Sequence, residues 1–125
     1  MAPTYRAGMG LHIGMVTIDC AEPRALARFW SAALDVAAVF ESDEFVLLGA
    51  GGDGEPELGL QQVPEPRAGK NRVHVDLRTD DVPAEVDRLV AIGASKIAEH
   101  TMPGVHWTVL ADPAGNEFCV GSHDA

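Results

Sequence analysis

Hydrophobic and polar residues alternate along two stretches of the chain, residues 15–19 and residues 74–78. Alternation of this kind is typical of a β-strand with one buried face. Each stretch leads through an acidic residue and a proline into apolar residues spaced three and four positions apart, which predicts an amphipathic helix. A strand followed by a helix therefore occurs twice.

The two predicted helices have recognisable start and end signals. The first begins at Pro23, a residue suited to a first helical turn, and the second runs over residues 82–92, from an acidic N-terminus to Gly93. We expect each helix to bury an apolar stripe, formed by Leu26, Phe29, Trp30, Ala33 and Leu34 in the first and by Val86, Leu89 and Val90 in the second.

Short apolar segments predict the strands of both copies. In the first copy they are residues 11–19, 37–40, 44–48 and 57–63; in the second, one strand starts at Arg72 and the others are residues 96–99, 105–111 and 117–121. The glycines of residues 49–54 predict a turn, and residues 112–116 predict a tight turn before the last strand. The order βαβββ, used twice, predicts an α+β fold with a groove shared by the two copies, where function should lie.

The charge balance limits the kinds of partner. Nine basic and nineteen acidic residues give a formal net charge of −10. This charge disfavours nucleic acid and anionic membrane surfaces, and it favours a neutral or cationic small molecule. Ordinary solvation of the surface is nevertheless the favoured explanation of the acidic residues.

The sequence also bears on size and location. With 125 residues, 46% of them hydrophobic, the chain is large enough for one compact domain with a buried core. It has no apolar run long enough to cross a membrane, and residues 1–10 lack the features of a signal peptide. We therefore expect a cytoplasmic protein in which Cys20 and Cys119, too few for a disulfide scaffold, stay reduced.

Four segments carry a family resemblance: residues 19–30, 73–77, 80–82 and 112–117. Through them the chain resembles the vicinal oxygen chelate superfamily, which includes glyoxalase I, extradiol dioxygenases and bleomycin-resistance proteins, and within it the glyoxalase-like branch. The resemblance implies a single glyoxalase-like domain of two βαβββ modules, at about residues 11–63 and 72–121, joined by a linker at residues 64–71. It further implies a curved mixed sheet around a central groove, with the helices on the outer face.

The resemblance also implies where a metal would bind. Catalytic members of the superfamily hold one divalent metal with a residue from the first and the last strand of each module, which here are Met15, Gln61, His74 and Cys119. A thioether and an amide suit hard divalent metals poorly, and zinc sites need three or four strong donors. We expect no metal cofactor; zinc, nickel, manganese or iron is the alternative. Glu117, on the same strand face as Cys119, keeps that alternative open.

The groove-facing residues form the candidate ligand-binding set, which consists of Met15, Thr17, Asp19, Gln61, His74, Asp76, Arg78 and Cys119. His74, beside Asp76, is the candidate catalytic residue, because an imidazole can act as an acid or a base near neutral pH. The structural alternatives are a satisfied interior histidine at position 74 and an Arg78 that only pairs with Asp19 or Asp76.

Other reactive and aromatic residues are expected to have structural roles. We expect Cys119 to pack as a small apolar group rather than act as a nucleophile. Trp30 belongs to the first helical stripe, and we expect Trp107 to pack in the core as well, with an aromatic wall for a ligand as the alternative. The remaining histidines show no metal-type spacing and receive no role; they are His12, His100, His106 and His123.

Three functions remain open at this point. We expect a small-molecule binding protein of the bleomycin-resistance kind, with its ligand in the inter-module groove and without a complete superfamily metal site. The alternative is an enzyme of the lyase, isomerase or dioxygenase type that uses His74 as acid, base or metal ligand; a purely structural role is a third hypothesis. Glyoxalase I activity itself is not expected, because its His and Glu ligands are replaced. The resemblance and an exposed sheet edge also predict a homodimer.

Overall fold

The computed structural model describes residues 13, 15–49, 55–66, 68–69, 71 and 73–122. The chain divides into two compact units, Met1–Pro66 (unit 1) and Arg67–Ala125 (unit 2). Each unit contains one helix and one four-stranded sheet, so the predicted α+β class and the repeated βαβββ order are confirmed. Several predicted features lie outside the described residues: the module ends at residues 11 and 72, most of the glycine turn, part of the linker, His12 and His123.

Unit 1 is a four-stranded sheet with one helix. Its elements are β1 (Met15–Cys20), α1 (Pro23–Leu34), β2 (Ala38–Glu41), β3 (Phe45–Leu48) and β4 (Glu57–Gln62). The strand order is β1-β4-β3-β2, with β1 parallel to β4 and the other pairs antiparallel. Val46, Leu48 and Leu60 are fully buried. They form the core of this unit together with the apolar stripe of α1.

Unit 2 repeats the same topology. Its elements are β5 (Val75–Thr79), α2 (Val82–Ala91), β6 (Ser95–Met102), β7 (Val105–Ala111) and β8 (Glu117–Ser122). The strand order is β5-β8-β7-β6, and β5 runs parallel to β8. The core contains Leu110, Phe118 and Val120 from the sheet with Val86 and Leu89 from the helix.

Most, but not all, of the residues in the two predicted apolar stripes are buried or half-buried. Leu26, Phe29 and Trp30 are buried as expected. Leu34 is 38% exposed and Val90 is 45% exposed, so their predicted burial is wrong. Both lie in the last turn of their helices. Neither α1 nor α2, the helices of the described residues, has the length and apolar character of a membrane-spanning helix.

The predicted turn between β7 and β8 forms around a buried carboxylate. Asp112 is only 4% exposed. Its Oδ1 accepts the backbone N–H groups of Ala114 at 3.0 Å and Asn116 at 2.8 Å, and it also accepts the Asn116 side-chain amide. Gly115 adopts a φ of 91°, which L-residues with side chains rarely adopt. The turn therefore fixes how β7 and β8, which contribute half of the lining of the site below, lie against each other.

Candidate functional site

Strand β5 and the residue before it present a row of polar side chains. His74, Asp76 and Arg78 are exposed, whereas Val75 and Leu77 between them are half-buried. This is the alternation predicted from the sequence, because successive side chains of a strand point to opposite faces. The three polar side chains therefore share the open face of the sheet in unit 2.

Strand β8 adds a thiol to the same face. Because β8 runs parallel to β5 with Asp76 opposite Cys119, these two side chains are cross-strand neighbours. His74 Nε2 lies 3.4 Å from Asp76 Oδ1. The ligand atoms of His74, Asp76 and Cys119 all lie within 4.8 Å of one another. The structure thus brings three of the eight candidate residues into one cluster.

The cluster forms part of a cavity of about 460 Å³, which we call the unit 2 cavity. Polar residues line it, namely Asn71, His74, Asp76, Arg78, Glu117 and Cys119. Ring-bearing and apolar residues complete the lining, namely His100, Trp107, Val109 and Phe118. The rings of His100 and Trp107 are stacked, with centroids 5.1 Å apart and an interplanar angle of 23°. The cavity therefore combines a flat aromatic surface with charged groups of both signs.

The sequence-based candidates leave out five residues of the lining: Asn71, His100, Trp107, Val109 and Phe118. Two of these five, His100 and Trp107, form the aromatic surface. His100 received no role, and the prediction that Trp107 packs in the core is wrong: Trp107 is half-buried and lines the cavity. Its neighbour Thr108 is buried, as is Leu110. Period two along β7 therefore places Trp107 on the opposite, open face. That signal was present in the sequence, but the size and apolarity of tryptophan favoured a core assignment.

Two acidic residues of the lining have defined contacts. Asp76 lies beside His74, and the alternative in which Arg78 only pairs with Asp76 is not observed. Glu117 lines the cavity, and its backbone carbonyl accepts a hydrogen bond from the Asn71 side chain at 3.2 Å. This bond connects the segment before β5 to the start of β8, and both residues of the bond line the cavity.

Unit 1 places its four candidate residues on one face of its own sheet. Met15, Thr17 and Asp19 are exposed and alternate with half-buried residues along β1. Gln61 is the register partner of Asp19 on β4, and it is exposed as well. The predicted common face within unit 1 is therefore observed.

The strand registers correct one equivalence between the two units. Thr17 and Asp76 stand at the same distance before their helix N-caps, Glu22 and Asp81. The β4 partner of Thr17 is Gly59, and the β8 partner of Asp76 is Cys119. Gly59 is therefore the counterpart of Cys119, and the assignment of Gln61 to that place is wrong.

The space above Gly59 is filled by packing. A Cβ built on Gly59 would lie 2.9 Å from Phe45 Cζ and 3.0 Å from Met15 Sδ. The Met15 thioether thus packs with an aromatic ring over a residue that has no side chain. The implied metal site takes one ligand from β1 and one from β4 of unit 1. These two positions hold Met15, which offers only a soft thioether, and Gly59, which has no side chain. The four-ligand metal site implied by the resemblance does not fit these residues.

Comparisons with known proteins agree with this architecture. The family described as a glyoxalase-like domain matches residues 15–121. A glyoxalase/bleomycin resistance/dioxygenase family enzyme from Burkholderia phytofirmans PsJN is similar in structure, with a TM-score of 0.76 and 19% sequence identity over 90% of this chain and 98% of the other. The fosfomycin resistance protein FosX from Mesorhizobium loti has a TM-score of 0.70 at 16% identity, over 91% and 92% of the two chains.

A third similar structure is that of the bleomycin-binding protein from bleomycin-producing Streptomyces verticillus, complexed with copper(II)-bleomycin. Its TM-score is 0.66 at 15% identity, over 91% of this chain and 98% of the other. No curated protein sequence matches this chain. At these identities the solved structures establish the shared fold.

Proposed function

This chain belongs to the glyoxalase-like domain family of the vicinal oxygen chelate superfamily, and from this premise we propose that it binds a small organic molecule in the unit 2 cavity. The observation that carries the proposal is the composition of the cavity. Stacked His100 and Trp107 rings occur in the same concavity as the His74–Asp76 pair. A concave site with an aromatic surface and a few convergent polar groups is typical of small-molecule sites.

The charges of the cavity point to the chemistry of the ligand. The two carboxylates of Asp76 and Glu117 outnumber the one guanidinium of Arg78 in the lining, and the chain as a whole carries a formal net charge of −10. A cation is attracted to such a site, and it gains further energy over the face of an indole ring. We therefore expect a planar ligand that is cationic or neutral. One neighbour of the same fold is named a bleomycin-binding protein, which supports ligand binding as a use of this fold.

An enzymatic function is the second candidate, and one contact favours it. The Asp76 carboxylate lies 3.4 Å from His74 Nε2, a position from which it can orient the imidazole ring. An imidazole held in this way can transfer a proton to or from a bound molecule. His74 is then the catalytic residue, and Asp76 its positioning residue.

The proposal is tested by a stability screen with planar cationic and neutral compounds. A compound present at about 100 times its dissociation constant should stabilise the folded chain by about 2.7 kcal/mol. We expect Trp107→Ala and Asp76→Asn to abolish this stabilisation for each hit. His106→Ala is the matched control, because His106 contacts Thr101 and does not line the cavity.

The outcomes separate the two candidate functions. Stabilisation that survives both cavity variants would place the ligand elsewhere and refute the proposal. Conversion of a hit compound, followed by NMR and abolished in His74→Gln, would favour the enzyme. Binding without conversion would favour the binding protein.

Metal content, oligomeric state and location complete the proposal. We propose that ligand binding needs no four-ligand metal of the superfamily type, because Met15 and Gly59 provide no hard donor in unit 1. Homodimeric assembly and a cytoplasmic location stay predictions from the sequence.

A further inference from the structure

We propose that unit 2 holds a Zn²⁺ ion by itself, bound by His74 Nε2, a carboxylate oxygen of Asp76 and the Cys119 thiolate. The proposal goes beyond small-molecule binding, and it differs from the ligand set that the resemblance implies. All three donors come from one unit, and Asp76 takes no part in the implied set.

The distances within the cluster suit a single ion. Bond lengths of about 2.0–2.3 Å in tetrahedral geometry place neighbouring donor atoms about 3.3–3.8 Å apart. The distance of 3.4 Å between His74 Nε2 and Asp76 Oδ1 already lies in this range. All three donor atoms lie within 4.8 Å of one another. The Cys119 sulfur therefore needs to approach the other two donors by at most about 1 Å, a shift that a small rotation about its side-chain bond can bring.

The chemistry of the donors selects the metal. Imidazole and thiolate are preferred ligands of zinc, whereas magnesium, calcium and manganese favour oxygen donors. A third donor, the carboxylate, completes the number of protein ligands that zinc has in sites with an open position. The side chains of His74 and Asp76 are 50% and 46% exposed, so a fourth position on the metal is accessible from the unit 2 cavity.

Two of the three donors lie on regular strands, and His74 directly precedes β5. Asp76 and Cys119 are direct register partners on the parallel pair β5 and β8, and Asp76 is two residues beyond His74 on the same face. Strand β8 is an interior strand, held by β5 on one side and by β7 on the other. Donors on such strands keep their spacing better than donors on loops, which favours a site that is already formed.

The experiment is a Co²⁺ titration of the reduced full chain after removal of adventitious metal. Co²⁺ takes the place of Zn²⁺ and reports its ligands, because a bound thiolate gives a near-ultraviolet charge-transfer band and tetrahedral geometry gives strong visible bands. We expect one Co²⁺ per chain, both sets of bands, and displacement by Zn²⁺. Cys119→Ser should remove the charge-transfer band. Loss of an outer-shell partner already lowers metal affinity by about tenfold or more. His74→Gln and Asp76→Asn remove direct ligands, and each should therefore weaken Co²⁺ binding by more than about tenfold.

Matched controls keep the test specific. Cys20→Ser changes the other thiol, which is buried and lies 3.7 Å from the Gln61 carbonyl oxygen. His106→Gln and Asp43→Asn change an imidazole and a carboxylate outside the cluster. All three control variants should bind Co²⁺ as the unchanged chain does, and circular dichroism checks that every variant is folded.

Three outcomes would overturn the zinc site. The folded chain could fail to bind Co²⁺ and Zn²⁺, the charge-transfer band could persist in Cys119→Ser, or the band could disappear in Cys20→Ser. A chain that binds no metal but is stabilised by an organic compound, with the loss expected in Trp107→Ala, would refute the zinc site and leave small-molecule binding intact. A chain that binds Co²⁺ as expected but no organic compound would refute small-molecule binding alone.

Discussion

Replacement of Asp112 by alanine should destabilise this protein much more than replacement of an aspartate at a helix start. Asp112 is 4% exposed, and its Oδ1 accepts two backbone N–H groups of the turn that joins β7 to β8. Alanine would leave the N–H groups of Ala114 and Asn116 without this acceptor. The turn of the hairpin that carries Trp107 and Cys119 would then keep only its backbone bonds, from the Asp112 N–H to the Asn116 carbonyl and from the Gly115 N–H to the Asp112 carbonyl.

The expected magnitude follows from the hydrogen bonds. A hydrogen bond to a charged group contributes about 1.5–3 kcal/mol. Two backbone bonds are lost, but Ala114 is exposed and water can replace part of its bond. We therefore expect a loss of about 3 kcal/mol for Asp112→Ala. With a urea m-value of about 2 kcal/mol per M, the unfolding midpoint should fall by about 1.5 M.

The assay is urea unfolding of the two variants Asp112→Ala and Asp81→Ala, followed by circular dichroism. Asp81 is the matched control, because its exposed carboxylate accepts a single backbone N–H, that of Ala84 at 3.1 Å. Loss of such an N-cap costs about 1 kcal/mol. If Asp112→Ala lowered the free energy of unfolding no more than Asp81→Ala, the buried carboxylate would not stabilise the turn more than an exposed N-cap stabilises a helix.

Two further predictions test packing and charge. Gly59→Ala should destabilise the chain by about 1 kcal/mol in urea unfolding, the low end of the cost of overpacking, because the new Cβ meets the tips of the Phe45 and Met15 side chains. Adding Met15→Ala should recover part of the loss, and an unchanged midpoint would contradict this packing. The Lys96 ammonium, 2.8 Å from Glu99 Oε1, lowers the pKa of the Glu99 carboxyl by hydrogen bonding and by charge. This pair therefore stabilises the fold above the ordinary pKa of a glutamate, and the contribution disappears as the pH falls through the lowered pKa. An NMR titration should show a higher pKa of the Glu99 carboxyl in Lys96→Ala than in the unchanged chain. An unchanged pKa would contradict the pairing.

The sequence by itself determined the order of the helices and strands and the open faces of β1 and β5. The predicted strand at residues 105–111 is β7 itself, and both helices begin where a proline enters the first turn. The alternation of His74, Asp76 and Arg78 with Val75 and Leu77 also gave the open face of β5 correctly. These features are local, because strand period, helix start and turn chemistry depend on neighbouring residues.

Tertiary structure alone decided which side chains meet. The parallel pairing of β5 with β8 sets Asp76 opposite Cys119, and the pairing of β6 with β7 sets His100 opposite Trp107. The register also replaced Gln61 by Gly59 as the counterpart of Cys119. Such pairings join segments far apart in the chain, and a slip of one residue would turn every side chain of a strand to the other face. Local patterns fix the face of a strand, but the packing of the whole sheet fixes its partner.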